Sequence, residues 1–247
     1  MERVKLAICM PVFNESSGIQ EFLTDLSEEF QKFDIKFFVV DDLSTDSTKA
    51  KLQEIAVMLP IEYQRNEKNI GHGPSTIRAL QLALSSDCDF VLAVDGDGQF
   101  LASEMRTLTE KCIVDRSDIG LGIRVRKEEA LYRRFTSWVT RILVTLRTRS
   151  KVIDANTPLR FYDCEALKRL LEGLDTDNPI PNLFISAKAI EMKLKTMTLH
   201  VTFRERRGEN TQSTSWGKSL YNLPSKRFIL FCLKSAKYWI KFSCVTH

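Results

Sequence analysis

The first hundred residues alternate between brief apolar runs and segments of helical spacing, joined by short connections, and this alternation constrains the fold more than any other feature. Leu6 to Met10 is apolar and is stopped by Pro11. The next segment places Ile19, Phe22, Leu23, Leu26, Phe30 and Phe33 at three- and four-residue steps, the period of one helix face. Lys36 to Val40 predicts a second strand, 45–58 a helix capped by Ser44 or Asp46, Ile61 to Gln64 a short strand, and 74–85 a helix with proline in its first turn. Phe90 to Val94 is a continuous apolar run of the kind buried on both faces of a parallel sheet. The pattern predicts an α/β fold: a Rossmann-like, mostly parallel sheet with helices on both faces. Ligands of such sheets sit at the carboxyl ends of the strands.

After residue 100 the pattern loosens. Asp118 to Ile123 and Leu194 to Phe203 predict strands, 131–146 a basic amphipathic helix, 159–171 a strand–helix unit and 185–192 a helix. No linker marks a second folding unit. The expected organisation is one domain over 1–222, including a polar loop at 204–219, followed by a basic amphipathic segment over 223–247.

Three strand ends carry the polar chemistry: Pro11-Val12-Phe13-Asn14-Glu15, Asp41-Asp42, and Asp95-Gly96-Asp97-Gly98-Gln99. Asp95 and Asp97 flank one glycine, and two carboxylates so close repel unless a cation joins them. Mg2+ or Mn2+ suits them, taking one or two protein carboxylates and completing its shell with phosphates and water. Gln99 can add an oxygen, and Gly96 lets backbone pass close to a ligand. Taken alone, an Asp-x-Asp more often describes a solvated turn with helix-capping aspartates, and its place at a strand end brings the two readings level. Asp41, Asp42 and Glu15 stand where a carboxylate can accept from a base N–H or a ribose hydroxyl, although Asp46 fits a plain helix cap. The chain has no GxGxxG and no P-loop lysine, which counts against a dinucleotide or P-loop enzyme.

Composition adds exclusions. A net charge of +4 makes no case for nucleic acid. The six cysteines form no CxxC pair and several sit in apolar runs, as expected of reduced thiols in a cytosolic protein. The start of the chain runs into a strand rather than a signal-peptide core, and no apolar run approaches the ~20 residues of a spanning helix. The expected location is cytoplasmic, with peripheral contact on the inner face of the membrane. That contact would come from the C-terminal segment, where Phe228 to Phe242 interleaves aromatic and aliphatic groups with Lys234, Lys237 and Lys241. Packing against the domain or dimerisation are its other uses.

Four motifs follow in order: Pro11-Val12-Phe13-Asn14-Glu15, Val40-Asp41-Asp42-Leu43-Ser44-Thr45-Asp46-Ser47-Thr48, Asn69-Ile70-Gly71-His72-Gly73, and Asp95-Gly96-Asp97-Gly98-Gln99. Together they closely resemble glycosyltransferase family 2, which has the GT-A fold. Later features resemble its members that use polyprenyl phosphates: Gly122-Ile123-Arg124, a basic helix with Arg133, Arg134 and Ser137, Asp154 to Tyr162, and Phe203 to Asn210. The chain departs from that group at Pro158-Leu159-Arg160 and at Asn210-Thr211, which weakens the acceptor assignment more than the donor.

The resemblance implies inverting transfer of a sugar from a nucleotide-diphosphate donor, UDP- or GDP-linked. Asp95, Asp97 and Gln99 would hold the metal, and Pro11, Phe13, Glu15, Asp41, Asp42, Asp95 and Gly96 the nucleotide. Arg133, Arg134 and Ser137 would bind the acceptor phosphate, and Asp95, Asp97, Arg124 and Arg206 would form the catalytic set. A hydroxyl acceptor would need a general base, and the Glu-Asp pair of many hydroxyl-directed members is missing from Asp175 to Asn182. A phosphate acceptor is already ionised near neutrality and needs arginines instead. The expected partners are therefore a nucleotide-sugar donor and a lipid-phosphate acceptor, with a glycan, glycolipid or protein hydroxyl as the rival and a non-catalytic nucleotide-sugar binder as a third reading.

Overall fold

A computed structural model describes residues 3–125, 131–150, 154–207 and 226–244; for 131–137, 226–228, 243 and 244 it describes the backbone alone. The strands are β1 (Lys5–Val12), β2 (Asp34–Asp41), β3 (Ile61–Arg65), β4 (Phe90–Ala93), β5 (Ile119–Val125), β6 (Arg160–Asp163) and β7 (Thr196–Thr202). They form one sheet in the order β3-β2-β1-β4-β6-β5-β7. The helices are α1 (Ile19–Glu29), α2 (Thr48–Ile55), α3 (His72–Leu84), α4 (Ala102–Asp115), α5 (Leu131–Thr148), α6 (Cys164–Leu171), α7 (Pro181–Glu191) and α8 (Lys226–Cys244).

Strand β1 shows why the sheet is covered on both faces. Leu6, Ile8, Met10 and Val12 point into one core with Ile19, Phe22 and Leu26 of α1, Leu52 and Ile55 of α2, and Met105, Leu108 and Cys112 of α4. The alternate residues Ala7 and Cys9 point into a second core with Ala79, Leu80 and Ala83 of α3, Leu167 and Leu170 of α6, and Ile185 and Ala189 of α7. A strand apolar on both sides has no solvent face, as its continuous apolar sequence requires. A third, smaller core joins Val144 of α5 and Phe184 of α7 to Trp239 of α8.

The sheet is mostly parallel, with β6 the reversed strand, paired antiparallel to both β4 and β5. Its direction was not visible in the sequence, because a four-residue apolar run carries no sign of which way it points. The reversal matters for the site. It sets Arg160, the first residue of β6, opposite Ala93, the last of β4. The 154–159 segment is thereby carried to the carboxyl edge of the sheet, beside the end of β5. Two sequence boundaries shift as well: α1 stops at Glu29 with Phe30 and Phe33 packed in the turn beyond it, and α2 begins only at Thr48. Ser47 is the N-cap and makes no side-chain cap bond, while Asp46 before it accepts from the Thr48 N–H (2.9 Å) and hydroxyl (2.5 Å).

Candidate active site

The ends of β1, β2 and β4 lie side by side, and side chains zip their loops together. Asn14 sits at φ 56°, and its backbone N–H donates to Ser44 Oγ (3.0 Å) while its Oδ1 accepts from Thr45 N (2.8 Å). The next N–H, of Glu15, donates to Thr48 Oγ1 (2.8 Å). These bonds consume backbone donors that burial would otherwise leave unpaired, and they hold Glu15 in place.

The two aspartates of β2 are separated in role by their partners. Asp41 is fully buried: Oδ1 accepts from the Ser44 N–H (2.8 Å) and hydroxyl (2.5 Å), and Oδ2 from Tyr63 Oη (2.8 Å), with Arg65 Nε at 3.5 Å. Asp42 accepts from Asn66 Nδ2 (2.9 Å) and from the backbone N–H groups of Ile70 (2.8 Å) and Gly71 (2.9 Å). It thereby fixes the Asn-Ile-Gly loop that opens α3. The loop's next residue, His72, reaches across to the third strand end, with Nε2 3.4 Å from Asp95 Oδ1.

At the end of β4, Gly96 passes so close to β1 that a Cβ there would stand 2.4 Å from Val12 Cγ1. Gly98 takes φ +65° and turns the chain back under Arg207. Between them Asp97 is 7% exposed and accepts from the Gln99 N–H (3.2 Å). Glu15, Asp95 and Asp97 therefore meet in one place from two adjacent strands. Their mutual charge has a consequence. Burial, reinforced by Asp95, pushes the Asp97 carboxyl up to about 6. Burial also pushes Glu15 up to about 7, with Asp97 and Asp95 adding to the rise and Arg206 opposing it.

The opposing charge comes from a segment more than a hundred residues away in sequence. Arg206 lies with Nη1 3.1 Å from Glu15 Oε1 and Nε 3.6 Å from Asp97 Oδ2. Backbone bonds hold its segment against the Asp97–Phe100 turn: Arg204 N to Gln99 O (2.9 Å) and Arg207 N to Asp97 O (3.2 Å). Gln99 Nε2 donates to Arg204 O (2.8 Å). Arg207 anchors the strap from outside through Asp25 and through Glu21 at 3.0 Å. On the other side Arg124, at the end of β5, grips Asp154 with two bonds, Nε to Oδ2 (2.9 Å) and Nη2 to Oδ1 (3.1 Å), and its guanidinium lies 5.6 Å from the Phe203 ring centre.

Of the residues expected from sequence, Glu15, Asp95, Asp97 and Arg206 converge on one point, and Pro11, Phe13, Asp41, Asp42, Gly96 and Gln99 belong to the strand ends and loops around it. Arg124 belongs to a neighbouring ion pair. The side chains of Arg133, Arg134 and Ser137, together with Asn210 and Thr211, lie outside the described residues. His72, Asn66, Tyr63, Asp154 and Arg207 carry no role legible in the sequence, and Ser44, expected as a helix cap, instead donates to Asp41. His72 stood in a quoted motif, and only the fold shows that it faces Asp95.

Among the described residues no three His, Cys, Asp or Glu side chains are arranged as a metal cage. The donor set still fits a hard divalent ion completed by phosphates. Asp95 and Asp97 are two carboxylates with excess negative charge between them, and Gln99 keeps its side-chain oxygen when its Nε2 is bound to Arg204.

The family model described as Glycosyl transferase family 2 matches residues 7–172. An uncharacterised protein of Methanocaldococcus jannaschii is 31% identical over 140 residues, 56% of this chain and 59% of that protein. The dolichol-phosphate mannosyltransferase of Pyrococcus furiosus is 28% identical over 182 residues, 72% of this chain. The present chain spans only 50% of that enzyme's length. Among solved structures, glucosyl-3-phosphoglycerate synthase of Mycobacterium tuberculosis, in complex with Mn2+ and uridine-diphosphate-glucose, superimposes with a TM-score of 0.59 at 17% identity, over 84% of this chain and 72% of that one. At that identity the likeness concerns the fold, which is the GT-A fold. With the family model covering well over half of the chain, including every strand end described above, the protein belongs to glycosyl transferase family 2.

Proposed function

We propose that the protein transfers a sugar, with inversion, from a UDP- or GDP-linked donor to the phosphate of a polyprenyl phosphate. The observation that carries the donor half is the meeting of Glu15, Asp95 and Asp97 at the joined ends of β1 and β4, with Arg206 laid across them. Carboxylates held this close favour a cationic ligand, and Arg206 is placed to meet the diphosphate that such a ligand accompanies. Asp95, Asp97 and Gln99 would hold Mg2+ or Mn2+, which supplies charge neutralisation to the leaving diphosphate. Asp42 keeps the loop before α3 closed on its backbone donors, so His72 stays beside Asp95.

Two supports bear on the acceptor. One relative is by name a dolichol-phosphate mannosyltransferase. The other support is α8. Its inner face packs Trp239 and Phe242 on Phe184, while Ile229, Leu230, Leu233, Lys234, Lys237, Ile240 and Lys241 are exposed. The described helix contains no acidic residue. An exposed aliphatic stripe edged by lysines suits the interface of an anionic membrane, where a lipid phosphate would be met. No helix among the described residues is long and apolar enough to cross that membrane.

The rival, a hydroxyl acceptor, has one observation in its favour. Asp154 brings a carboxylate to the acceptor edge, with its side chain 19% exposed, where a general base would be needed.

The donor is tested by thermal shift with UDP and with GDP, each with and without Mn2+. A metal-dependent rise with one nucleotide is expected, about 2.7 kcal/mol of added stability at a hundredfold excess over Kd. No rise with either nucleotide would return the chain to a non-catalytic role. The acceptor is tested by extraction of labelled product into organic solvent followed by mild acid: a sugar on a glycan or protein hydroxyl stays in the aqueous phase, and a sugar on a glycolipid hydroxyl extracts but resists the acid that releases it from a lipid phosphate.

A further inference from the structure

At the opposite end of β4 from the carboxylates, two cysteines distant in sequence meet. Cys88 lies in the turn between α3 and β4, and Cys164 opens α6 directly after β6. The antiparallel pairing of Phe90 with Asp163, extended by the bond from Cys164 N to Asp89 O (3.3 Å), brings them together. Their sulfur atoms are 2.9 Å apart although 76 residues separate them along the chain. That separation is shorter than ordinary contact between two non-bonded sulfurs, and each thiol is the other's hydrogen-bond partner.

We propose that Cys88 and Cys164 form a thiol–disulfide exchange site, in which Cys88 first attacks a low-molecular-weight disulfide and is capped by half of it, and Cys164 resolves the adduct into an intramolecular cystine. Cys88 is half-buried and Cys164 nearly buried, so a reagent in solution meets Cys88. The electrostatics divide the labour in the same way. The hydrogen bond from Cys164 stabilises a thiolate on Cys88 and pulls its pKa down to about 7 against the pull of Asp87 and Asp89. That same bond, with burial, keeps Cys164 protonated. The other described cysteines contrast with this. Cys9, Cys112 and Cys232 are all pushed upward by burial, so they are poor nucleophiles.

The chemistry balances as two exchanges. The Cys88 thiolate attacks one sulfur of the oxidant disulfide, forming a mixed disulfide and releasing one half as a thiolate, which takes the proton from Cys164. The Cys164 sulfur then attacks Cys88 Sγ and expels the second half. Two protein thiols lose two electrons and two protons, and one small disulfide becomes two thiols. The new bond closes a long loop and ties the start of β4 to the start of α6, which restricts the unfolded chain more than it alters the folded one. Because it lies away from Asp95 and Asp97, oxidation should raise thermal stability and leave turnover unchanged.

The test is intact-mass analysis and peptide mapping of the full chain exposed to oxidised glutathione near neutral pH. The wild type should pass through one adduct on Cys88 and end two hydrogens lighter, with an 88–164 linked peptide and a melting temperature raised by several degrees. Cys164→Ser should stop at a lasting glutathione adduct on Cys88. Cys88→Ser should carry no adduct on Cys164. The proposal is overturned if the wild type keeps a stable Cys88 adduct without the linked peptide, or if Cys88 is modified no faster than Cys232. None of these readouts depends on the donor or the acceptor.

Discussion

The two halves of the sheet fix their functional groups by different means. In the half from β1 to β4, where the function proposed above puts the donor, Asp41, Asp42 and the backbone of Glu15 are held by hydrogen bonds to groups only a few tens of residues away. Asp41 is held by Ser44, Asp42 by the Ile70 and Gly71 N–H groups, and Glu15 through its own N–H by Thr48. In the half from β5 onward, where that proposal puts the acceptor, the groups are held by ion pairs and ring contacts between distant segments: Arg124 with Asp154 and Phe203, Arg206 with Glu15 and Asp97, and α8 on Phe184. Backbone-anchored groups are preorganised before a ligand arrives. Paired arginines hold a charge that can be re-partnered. On that proposal, the first suits a donor site that must bind one fixed chemistry, and the second suits a site that exchanges its charged partners.

That contrast breaks most directly at Asp97. Asp97→Ala should lower turnover by about a hundredfold or more, the scale of losing an electrostatic stabiliser in a closed site. The fold should survive, because the substitution removes a buried charge already disfavoured by Asp95. Steady-state turnover beside a melting curve checks both. Turnover near wild type would mean that the carboxylate cluster is not the donor site.

Asp42 provides the matching experiment on stability. Asp42→Ala strips the acceptor from two backbone N–H groups and the Asn66 amide in a buried setting, and orphaned donors cost about 1–3 kcal/mol each before water or relaxation recovers part of it. A net loss of about 2–4 kcal/mol is expected, read as a lowered denaturation midpoint with unchanged m value. A loss of nucleotide affinity at full stability would instead make Asp42 a direct ligand, and the donor half would then be less self-contained than its hydrogen bonds imply.

The Arg124–Asp154 pair gives a smaller effect that separates the two acceptor readings. A double-mutant cycle with Arg124→Ala and Asp154→Ala should return a coupling of about 1–2 kcal/mol in stability, as suits a two-bond pair partly shielded from water. If Asp154 is only the partner of Arg124, Asp154→Asn should leave kcat within a few-fold of wild type. A fall of about a hundredfold with KM unchanged would assign Asp154 as the base of a hydroxyl-directed enzyme.

The same division explains what could be read from the chain alone. Strand–helix alternation with short loops announced β1 to β4, and the strand-end motifs named Glu15, Asp95 and Asp97 before any geometry was known. Motif reading could group these residues because the loops that carry them are close in sequence to the strands that end there. It faltered where partners are far apart. Nothing near Arg124 points to Asp154, nothing near Gln99 points to Arg204, and the reversed β6 that brings Asp154 to the edge is four residues long. The strap carrying Arg206 looks in sequence like a polar loop. The resemblance named Arg206, but the contact that lays it across Glu15 and Asp97 follows only from backbone bonds to a turn more than a hundred residues earlier.

The smallest expected effect on chemistry, and the sharpest on localisation, belongs to α8. Leu233→Glu with Ile240→Glu places two carboxylates on the exposed stripe, while Trp239 and Phe242 continue to hold the inner face on Phe184. Fold and donor binding should therefore be unchanged, since neither residue touches the carboxylate cluster. Binding to vesicles containing anionic lipid should fall at least tenfold, and transfer to a short-chain, water-soluble acceptor phosphate should remain. Transfer to a long-chain acceptor embedded in vesicles should fall along with binding, because the defect is one of encounter rather than catalysis. If the wild type shows no preference for anionic over zwitterionic vesicles, the lysine-edged stripe is not a membrane surface. A change from dimer to monomer in sedimentation with the double substitution would assign the stripe to a second copy of this chain, and the two-part contrast would then extend to how each half is completed: the donor half by its own backbone, the acceptor half by another molecule.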